Sequence, residues 1–207
     1  MNAQTRRSLI EGPAGAIEVA IDAAQGQRRG VAVISHPHPL FGGSLDNKVV
    51  QTLARAFSQC GWDSVRYNFR GVGASQGVHD EGRGELLDLL ALIEQLQPQG
   101  PLALAGFSFG AFVTSLALAP LLQRRPIDKL VLVGTAASRF AVATIPQESH
   151  ERTLVIHGEV DDTVPLSAVM DWARPQALPV MVLPGTGHFF HGQLPLLKSL
   201  VVRHLSA

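Results

Sequence analysis

The chain has 207 residues, in which 17 Lys and Arg balance 17 Asp and Glu. Its zero formal charge excludes the strongly basic surface that nucleic-acid binders and proteins held on anionic membranes normally carry. Only 16% of the residues are charged and 46% are apolar, so the chain can bury a sizeable core and is not disordered. We therefore expect one domain spanning residues 1–207.

The shortage of charge is concentrated in residues 100–123, which contain no ionisable side chain. This stretch is about as long as a membrane-spanning helix. Gly106 and Gly110 interrupt it, however, and Pro101 and Pro120 lie near its ends, which favours a buried strand that turns into a buried helix. The amino-terminal sequence lacks the apolar segment of a secretory signal, and a single cysteine cannot form an intrachain disulfide. We expect a cytoplasmic protein without a membrane span.

Short apolar runs alternate with segments of helical periodicity along the chain. The first predicted strand, 17–21, alternates apolar and polar residues, as half-exposed strands do. The later predicted strands are mostly continuous apolar runs, typical of a parallel sheet covered on both faces, and they lie at 30–35, 65–69, 102–105, 130–133, 154–156 and 180–183. Helices are predicted at 46–60, 85–97, 111–122 and 194–205. This order predicts an open, mostly parallel, doubly wound α/β sheet with helices on both faces.

The pattern Gly-x-Ser-x-Gly occurs twice, at 73–77 and 106–110, although only about 0.12 occurrences are expected by chance at this composition. A catalytic serine in this pattern lies on a sharp turn from a strand into a helix. Ser108 is placed between a predicted strand and a predicted helix, whereas Ser75 is followed by a loop. We predict that Ser108 is a nucleophile. The alternatives are that Ser75 has this role, or that Ser108 lies in a purely structural turn.

A serine nucleophile needs a histidine base that is itself oriented by a carboxylate, and this fold places them in the order Ser, Asp or Glu, His. His188 follows the last predicted strand in a glycine-containing turn, and His191 competes with it. Asp161 and Asp162 follow the preceding predicted strand, and their spacing does not decide between them. His157 precedes the acid in the chain, so we expect it to be a packing residue.

Two backbone N–H groups are needed to stabilise the oxyanion of an acyl-transfer intermediate. The residue after the nucleophile, Phe109, supplies the first, and the loop after an early strand supplies the second. Pro37 and Pro39 in that loop have no N–H, which leaves His38 and Leu40 as candidates.

No metal or cofactor is expected. The loop histidines, together with His79 and Asp80, do not have the spacing of a zinc site, and Cys60 has no partner thiol.

These motifs resemble those of the α/β-hydrolase superfamily, near the dienelactone hydrolases and small bacterial serine carboxylesterases. The resemblance rests on the Ser108 pattern and on five further segments, namely 36–43, 68–75, 157–158 with Asp161, 164–165 and 187–190. It implies that Asp161 is the acid and that Ser75 closes a structural turn. Dienelactone hydrolases have a cysteine where Ser108 stands, so the resemblance implies an ordinary serine esterase mechanism here.

The predicted substrates are small carboxylic esters of short to medium chain length. Phe41, Phe107 and Phe189 flank the predicted catalytic loops and are expected to line an apolar pocket. The segment 134–153 is too short for a cap domain. Thioesters, lactones and short polyesters would use the same residues, and a non-catalytic binding or scaffold protein of this fold is the alternative from another class. An exposed edge strand or the last helix could support a homodimer.

Overall fold

The computed structural model describes residues 5–97 and 99–207, which form an eight-stranded sheet in the order β1-β2-β4-β3-β5-β6-β7-β8. The strands are β1 (Arg6–Gly12), β2 (Gly15–Asp22), β3 (Gly30–Ser35), β4 (Trp62–Tyr67), β5 (Leu102–Phe107), β6 (Lys129–Val133), β7 (Thr153–Gly158) and β8 (Val180–Leu183). β2 pairs antiparallel with β1 and β4, and every other neighbouring pair is parallel. The predicted mostly parallel α/β sheet is confirmed.

Helices cover both faces of this sheet. They are α1 (Lys48–Gln59), α2 (Arg83–Leu96), α3 (Phe109–Leu122), α4 (Leu166–Ala173) and α5 (Leu194–Ser206). Buried residues of α1 and α5 form one core cluster with alternate strand residues, whereas those of α2, α3 and α4 form the other. In β5, for example, Ala103 and Ala105 belong to the cluster with α1 and α5. Leu102 and Leu104 belong to the cluster with α2, α3 and α4. This alternation follows from the two-residue period of a strand.

The starts of α1 and α2 differ from the predicted ones by two residues, for local reasons. α1 was expected to begin at Asp46, but the Asn47 side chain accepts hydrogen bonds from the Val49 and Val50 N–H groups and so caps the helix one residue before Lys48. α2 begins at Arg83 instead of 85, because the Glu85 carboxylate accepts the Gly82 N–H and closes the first turn.

Two strands correct the sequence-based expectations. β8 was expected to be covered on both faces, but it is the last strand of the sheet, and Met181 and Val182 are partly exposed there. β1 was not among the expected strands, because its residues are largely charged or polar and exposed. It forms by pairing with β2 as a hairpin, so the tertiary partner and not its own apolar pattern determines it.

The uncharged stretch forms β5 and α3 in the centre of the molecule, and Ser108 lies between them. Across residues 5–97 and 99–207, none of the helices combines the length and the apolar character that crossing a membrane requires. The connection between β6 and β7 carries only a short 3₁₀ helix, Gln147–Arg152, and no cap domain. The carboxyl ends of the parallel strands are therefore not covered by an inserted domain.

Candidate active site

Ser108 occupies a strained turn between β5 and α3. Its backbone has φ 57° and ψ −118°, a conformation that residues other than glycine rarely adopt. A Cβ atom at Gly106 would lie 2.3 Å from the Gly110 carbonyl oxygen, and one at Gly110 would lie 2.3 Å from the Ser35 carbonyl oxygen. Both glycines are therefore required by close backbone contacts, which form the sharp turn known as a nucleophile elbow.

Replacing Gly110 by alanine is expected to destabilise the protein by at least about 3 kcal/mol, because two rigid backbone segments would have to separate. Gly187 is the matched control: a Cβ there meets nothing closer than 4.0 Å, so Gly187→Ala should unfold at nearly the wild-type urea concentration. Urea denaturation of both variants, followed by circular dichroism, measures the difference. Equal midpoints for Gly110→Ala and wild type would show that the contact at Gly110 is relaxed easily.

Three side chains form a hydrogen-bonded row at the carboxyl ends of β5, β7 and β8. The Ser108 Oγ lies 3.0 Å from His188 Nε2, and His188 Nδ1 lies 2.7 Å from Asp161 Oδ2. The Asp161 carboxylate can only accept, so Nδ1 carries the proton and Nε2 is free to accept the Ser108 hydroxyl. All three residues are more than nine-tenths buried. The structure thus brings together the three residues that were predicted separately.

The Asp161 carboxylate is held from both sides. Its Oδ1 accepts the N–H groups of Thr163 at 3.0 Å and Val164 at 2.7 Å, while Oδ2 faces His188. Burial acts to raise the pKa of Asp161, but the hydrogen bonds from His188 and the Val164 N–H outweigh it, so the pKa lies below its usual value. Asp161 is therefore ionised at neutral pH and can stabilise an imidazolium at His188.

Two backbone segments contain the candidate N–H donors to an oxyanion, namely the start of α3 and the loop after β3. Phe109 is the first residue of α3, where backbone N–H groups have no partner within the helix. The Leu40 N–H already donates to His38 Nδ1 at 3.2 Å, and the Leu40 side chain is largely exposed. His38 borders the pocket at Ser108, and its N–H has no hydrogen-bond partner among the residues that the structure describes. Leu40, one of the two predicted donors, is therefore not presented to the pocket.

The pocket in front of Ser108 has a volume of about 310 Å³. The predicted pocket residues Phe41 and Phe189 line it, and both are substantially exposed. Phe107 does not line it. It is fully buried, and its ring centroid lies 4.9 Å from that of His188, because odd-numbered residues of β5 face the α1 and α5 side of the sheet. The Phe107 ring therefore packs against the His188 ring and does not contact the pocket.

The family model for the serine aminopeptidases (S33) matches residues 28–155, well over half of the chain. The chain belongs to this family of α/β serine hydrolases. The match ends before Asp161 and His188, so the roles of these two residues rest on their geometry. The resemblance to small α/β-hydrolases is confirmed.

Two solved structures agree with this membership, and one curated protein is also similar to the chain. A solved α/β serine hydrolase without a lid from Xanthomonas campestris is 33% identical, with a TM-score of 0.88 over 100% of this chain and 95% of that one. An α/β serine hydrolase homologue from Coxiella burnetii is 38% identical, with a TM-score of 0.83 over 97% of each chain. An uncharacterised protein of Rickettsia prowazekii is 40% identical over 121 residues, which are 56% of this chain and 49% of that protein. The match thus spans about half of the length of this curated relative.

The competing residues of the S33 hydrolase lie elsewhere or have other partners. Ser75 is buried, accepts the Glu18 N–H at 2.9 Å and donates to the Asn68 carbonyl at 2.7 Å, so its hydroxyl is committed to a turn. Asp162 and His191 are exposed. His157 is fully buried, with Nε2 2.9 Å from the Val164 carbonyl and 3.4 Å from Asp161 Oδ2. His157 therefore packs against Asp161, which is the role expected for it from its position before the acid in the chain.

Sequence reasoning missed three polar residues of the pocket in this hydrolase, namely Asn47, Arg139 and Thr163. Asn47 caps α1, Thr163 is the second residue after Asp161, and Arg139 lies between β6 and β7. None of them belongs to a recognisable motif. The position of Arg139 could not be derived from the sequence, because the segment 134–152 has no regular periodicity that would orient it.

A larger hollow of about 560 Å³ lies at the opposite end of the sheet of this hydrolase, where β3, β4 and β6 begin. The described residues that border it include Arg28, Arg29 and Lys129 but no serine and histidine pair. Lys129 Nζ donates to the His204 carbonyl at 2.8 Å. Among the described residues, no group of three or more His, Cys, Asp or Glu side chains is arranged to hold a metal ion. The pocket at Ser108 is therefore the candidate active site.

His36 fixes the loop that bears His38. Its Nε2 accepts the Phe69 N–H at 2.9 Å and its Nδ1 donates to the Pro37 carbonyl at 2.6 Å. The ring is fully buried, and burial lowers the pKa of His36 to about 4. The folded protein therefore holds His36 neutral under conditions in which an unfolded chain would protonate it.

Acid should weaken the fold through His36. Because its folded pKa is about 4 and its unfolded value about 6.5, this stabilisation is complete above pH 6.5 and is lost as the pH falls toward 4. The loss attributable to His36 is about 3 kcal/mol across this window. Urea denaturation of wild type and His36→Gln at pH 7 and pH 4 measures it, and the variant should show the smaller pH dependence. An equal dependence in both proteins would contradict this role.

Proposed function

We propose that the chain is a serine carboxylesterase that hydrolyses small esters through an acyl-serine intermediate. The observation that carries this proposal is the row from Ser108 through His188 to Asp161, which opens into a pocket without a cap domain. A hydroxyl, a neutral imidazole that can accept its proton and an ionised carboxylate behind it are the groups that acyl transfer needs.

In the first half-reaction, His188 Nε2 takes the proton of the Ser108 hydroxyl while Oγ attacks the ester carbonyl carbon. In this proposal the N–H groups of Phe109 and His38 stabilise the oxyanion. The C–O bond to the alcohol then breaks, and the imidazolium gives its proton to the leaving oxygen. In the second half-reaction, His188 deprotonates a water that attacks the acyl carbon, and the proton returns to Ser108 as the acid leaves.

The size of the pocket supports substrates with short to medium acyl chains. A volume of about 310 Å³ is at the small end of ligand pockets, and its apolar walls are Phe41 and Phe189. The absence of a cap domain leaves no amphipathic cover between β6 and β7 of the kind that binds a bulk lipid surface.

The serine aminopeptidase family suggests a second candidate activity, in which the enzyme must bind a substrate ammonium group. The charge of the pocket argues against this function. Among the described residues that line the pocket, there is no carboxylate, and Arg139 places a positive charge there instead. Transfer of an ammonium group into this pocket would bring like charges together, which raises the free energy of binding.

A substrate panel tests the proposal. Wild type and Ser108→Ala are compared on p-nitrophenyl esters of two to sixteen carbons, a thioester, a lactone and an amino-acyl p-nitroanilide. We expect the highest kcat/KM for esters of short to medium chain, dependent on Ser108, and little turnover of the anilide. Equal rates for both proteins on every substrate would contradict the proposal and favour a non-catalytic role. Preference for the thioester or lactone would change the substrate class but keep the chemistry.

A further inference from the structure

We propose that Arg139 makes this hydrolase selective for esters that carry a carboxylate a few carbon atoms from the scissile carbonyl, such as half-esters of short dicarboxylic acids. This inference rests on the proposed function and adds the substrate class. Arg139 and Ser108 line the same cavity of about 310 Å³, so a short substrate can reach both.

The guanidinium of Arg139 is not committed to a partner within the protein. Among the described residues, it makes no ion pair and its side chain makes no hydrogen bond. By contrast, the buried Arg66 pairs with Asp22, and the half-buried Arg70 pairs with Asp88. Five donors in a planar fork are thus available to a carboxylate that enters the pocket.

The segment that bears Arg139 packs against Phe109, whose N–H is one of the two proposed oxyanion donors. The Arg139 and Phe140 N–H groups both donate to the Ala136 carbonyl, at 3.2 and 3.1 Å. The Phe140 ring stacks on Phe112 with centroids 4.8 Å apart and lies 5.1 Å from Phe109. Arg139 therefore belongs to a hydrogen-bonded turn that packs on the residue after the nucleophile, and its exposed side chain borders the pocket.

Other charges around the pocket leave Arg139 as its cation at neutral pH. His38 also lines the pocket, and burial lowers its pKa; His79 and Arg139 lower it further and outweigh the opposing charge of Glu85, so His38 is mostly neutral at pH 7. Glu85, the carboxylate whose charge acts on His38, is fully buried and accepts the Asp80 and Gly82 N–H groups. Asp161 is turned toward His188. An anionic substrate group thus meets one uncompensated positive charge.

A pair of matched substrates tests the proposal. Monoethyl succinate carries a carboxylate where its uncharged isostere, ethyl 4-methylpentanoate, carries two methyl groups. The ratio of kcat/KM for the charged ester to that for the neutral one is measured in wild type, Arg139→Gln and Arg139→Glu. We expect the glutamine variant to lower this ratio about 3- to 10-fold, mainly through KM for the succinate, as loss of one partly exposed charge pair implies. The glutamate variant should lower it further.

Arg124→Gln is the matched control, since it removes the same charge. Arg124 is exposed beyond the carboxyl end of α3, a 14-residue helix whose amino end bears Ser108, and it pairs with Glu94. Its ratio should equal that of wild type. Added salt should lower the ratio in wild type but not in Arg139→Gln.

The outcomes separate this inference from the proposed function. A ratio that is unchanged in Arg139→Gln, or equal losses on both esters, would overturn the role of Arg139 while hydrolysis that depends on Ser108 remains. Failure of wild type to hydrolyse either ester, while Ser108-dependent hydrolysis of the p-nitrophenyl esters remains, would overturn this inference alone; loss of both activities would contradict both proposals. A loss of the same size in Arg124→Gln would show a general effect of net charge and would also overturn the inference.

Discussion

Replacing Ser108 by alanine should reduce kcat on the best ester by about 10⁴- to 10⁶-fold, while the protein stays folded. In the proposed mechanism Ser108 Oγ is the atom that bonds to the acyl carbon, and His188 has no other hydroxyl at hydrogen-bonding distance among the described residues. The elbow itself does not depend on the hydroxyl, because Gly106 and Gly110 allow the backbone contacts. Steady-state kinetics together with thermal denaturation measures both effects.

Ser75→Ala is the control for this experiment, because Ser75 is the second serine of the same sequence pattern. Its hydroxyl joins the Glu18 N–H to the Asn68 carbonyl, so its removal should cost about 1–3 kcal/mol of stability. Activity per folded molecule should stay within about twofold of wild type, because its hydroxyl is committed within a turn. If Ser75→Ala abolished turnover and Ser108→Ala did not, the assignment of the nucleophile would be wrong.

Asp161→Asn should lower kcat by about 10⁴-fold. The Thr163 and Val164 N–H groups hold one oxygen of this side chain, so the amide nitrogen of asparagine would be turned toward His188. An amide NH₂ donates where the carboxylate accepted, which forces the proton of His188 from Nδ1 to Nε2. Nε2 would then point a hydrogen at Ser108 and could not take its proton.

Asp162→Asn is the matched control for the acid, because it makes the same change at the next residue. Asp162 is exposed and its carboxylate contacts only the Thr163 hydroxyl, at 3.3 Å, among the described residues. Its kcat should remain within about twofold of wild type. Kinetics from pH 5 to 9 distinguishes the two variants, and equal losses would mean that the acid loop is perturbed as a whole instead of through the tautomer of His188.

The sequence predicted the part of the fold that surrounds Ser108 because several signals agree there. An uncharged strand, a glycine-flanked serine and an apolar helix follow one another within residues 102–122. Together they indicate one strand–turn–helix unit. The prediction of Asp161 and His188 used their order after consecutive strands, the glycine-containing turn at His188 and, for Asp161, the resemblance. That order sufficed because parallel strands bring their carboxyl ends to one edge of the sheet.

The rest depended on contacts that no local pattern encodes. β1 exists because β2 pairs with it, and the exposure of β8 follows from its place at the sheet edge. Phe107 was assigned to the pocket from its position in the chain, although the two-residue period of β5 turns it to the other face. Arg139 reaches the pocket from the connection between β6 and β7, ahead of its short 3₁₀ helix, so only the three-dimensional arrangement identifies it.

The most direct measurement of the central claim is the position of a covalent adduct. Wild-type protein is treated with a fluorophosphonate, digested with trypsin and analysed by mass spectrometry. Cleavage after Arg70, Arg83 and Arg124 separates Ser75 in the peptide 71–83 from Ser108 in the peptide 84–124. We predict one phosphonyl group per chain, located at Ser108 by fragmentation and absent from Ser108→Ala. An adduct at Ser75, or an unmodified chain in the presence of an active reagent, would contradict the assignment of Ser108 as the nucleophile.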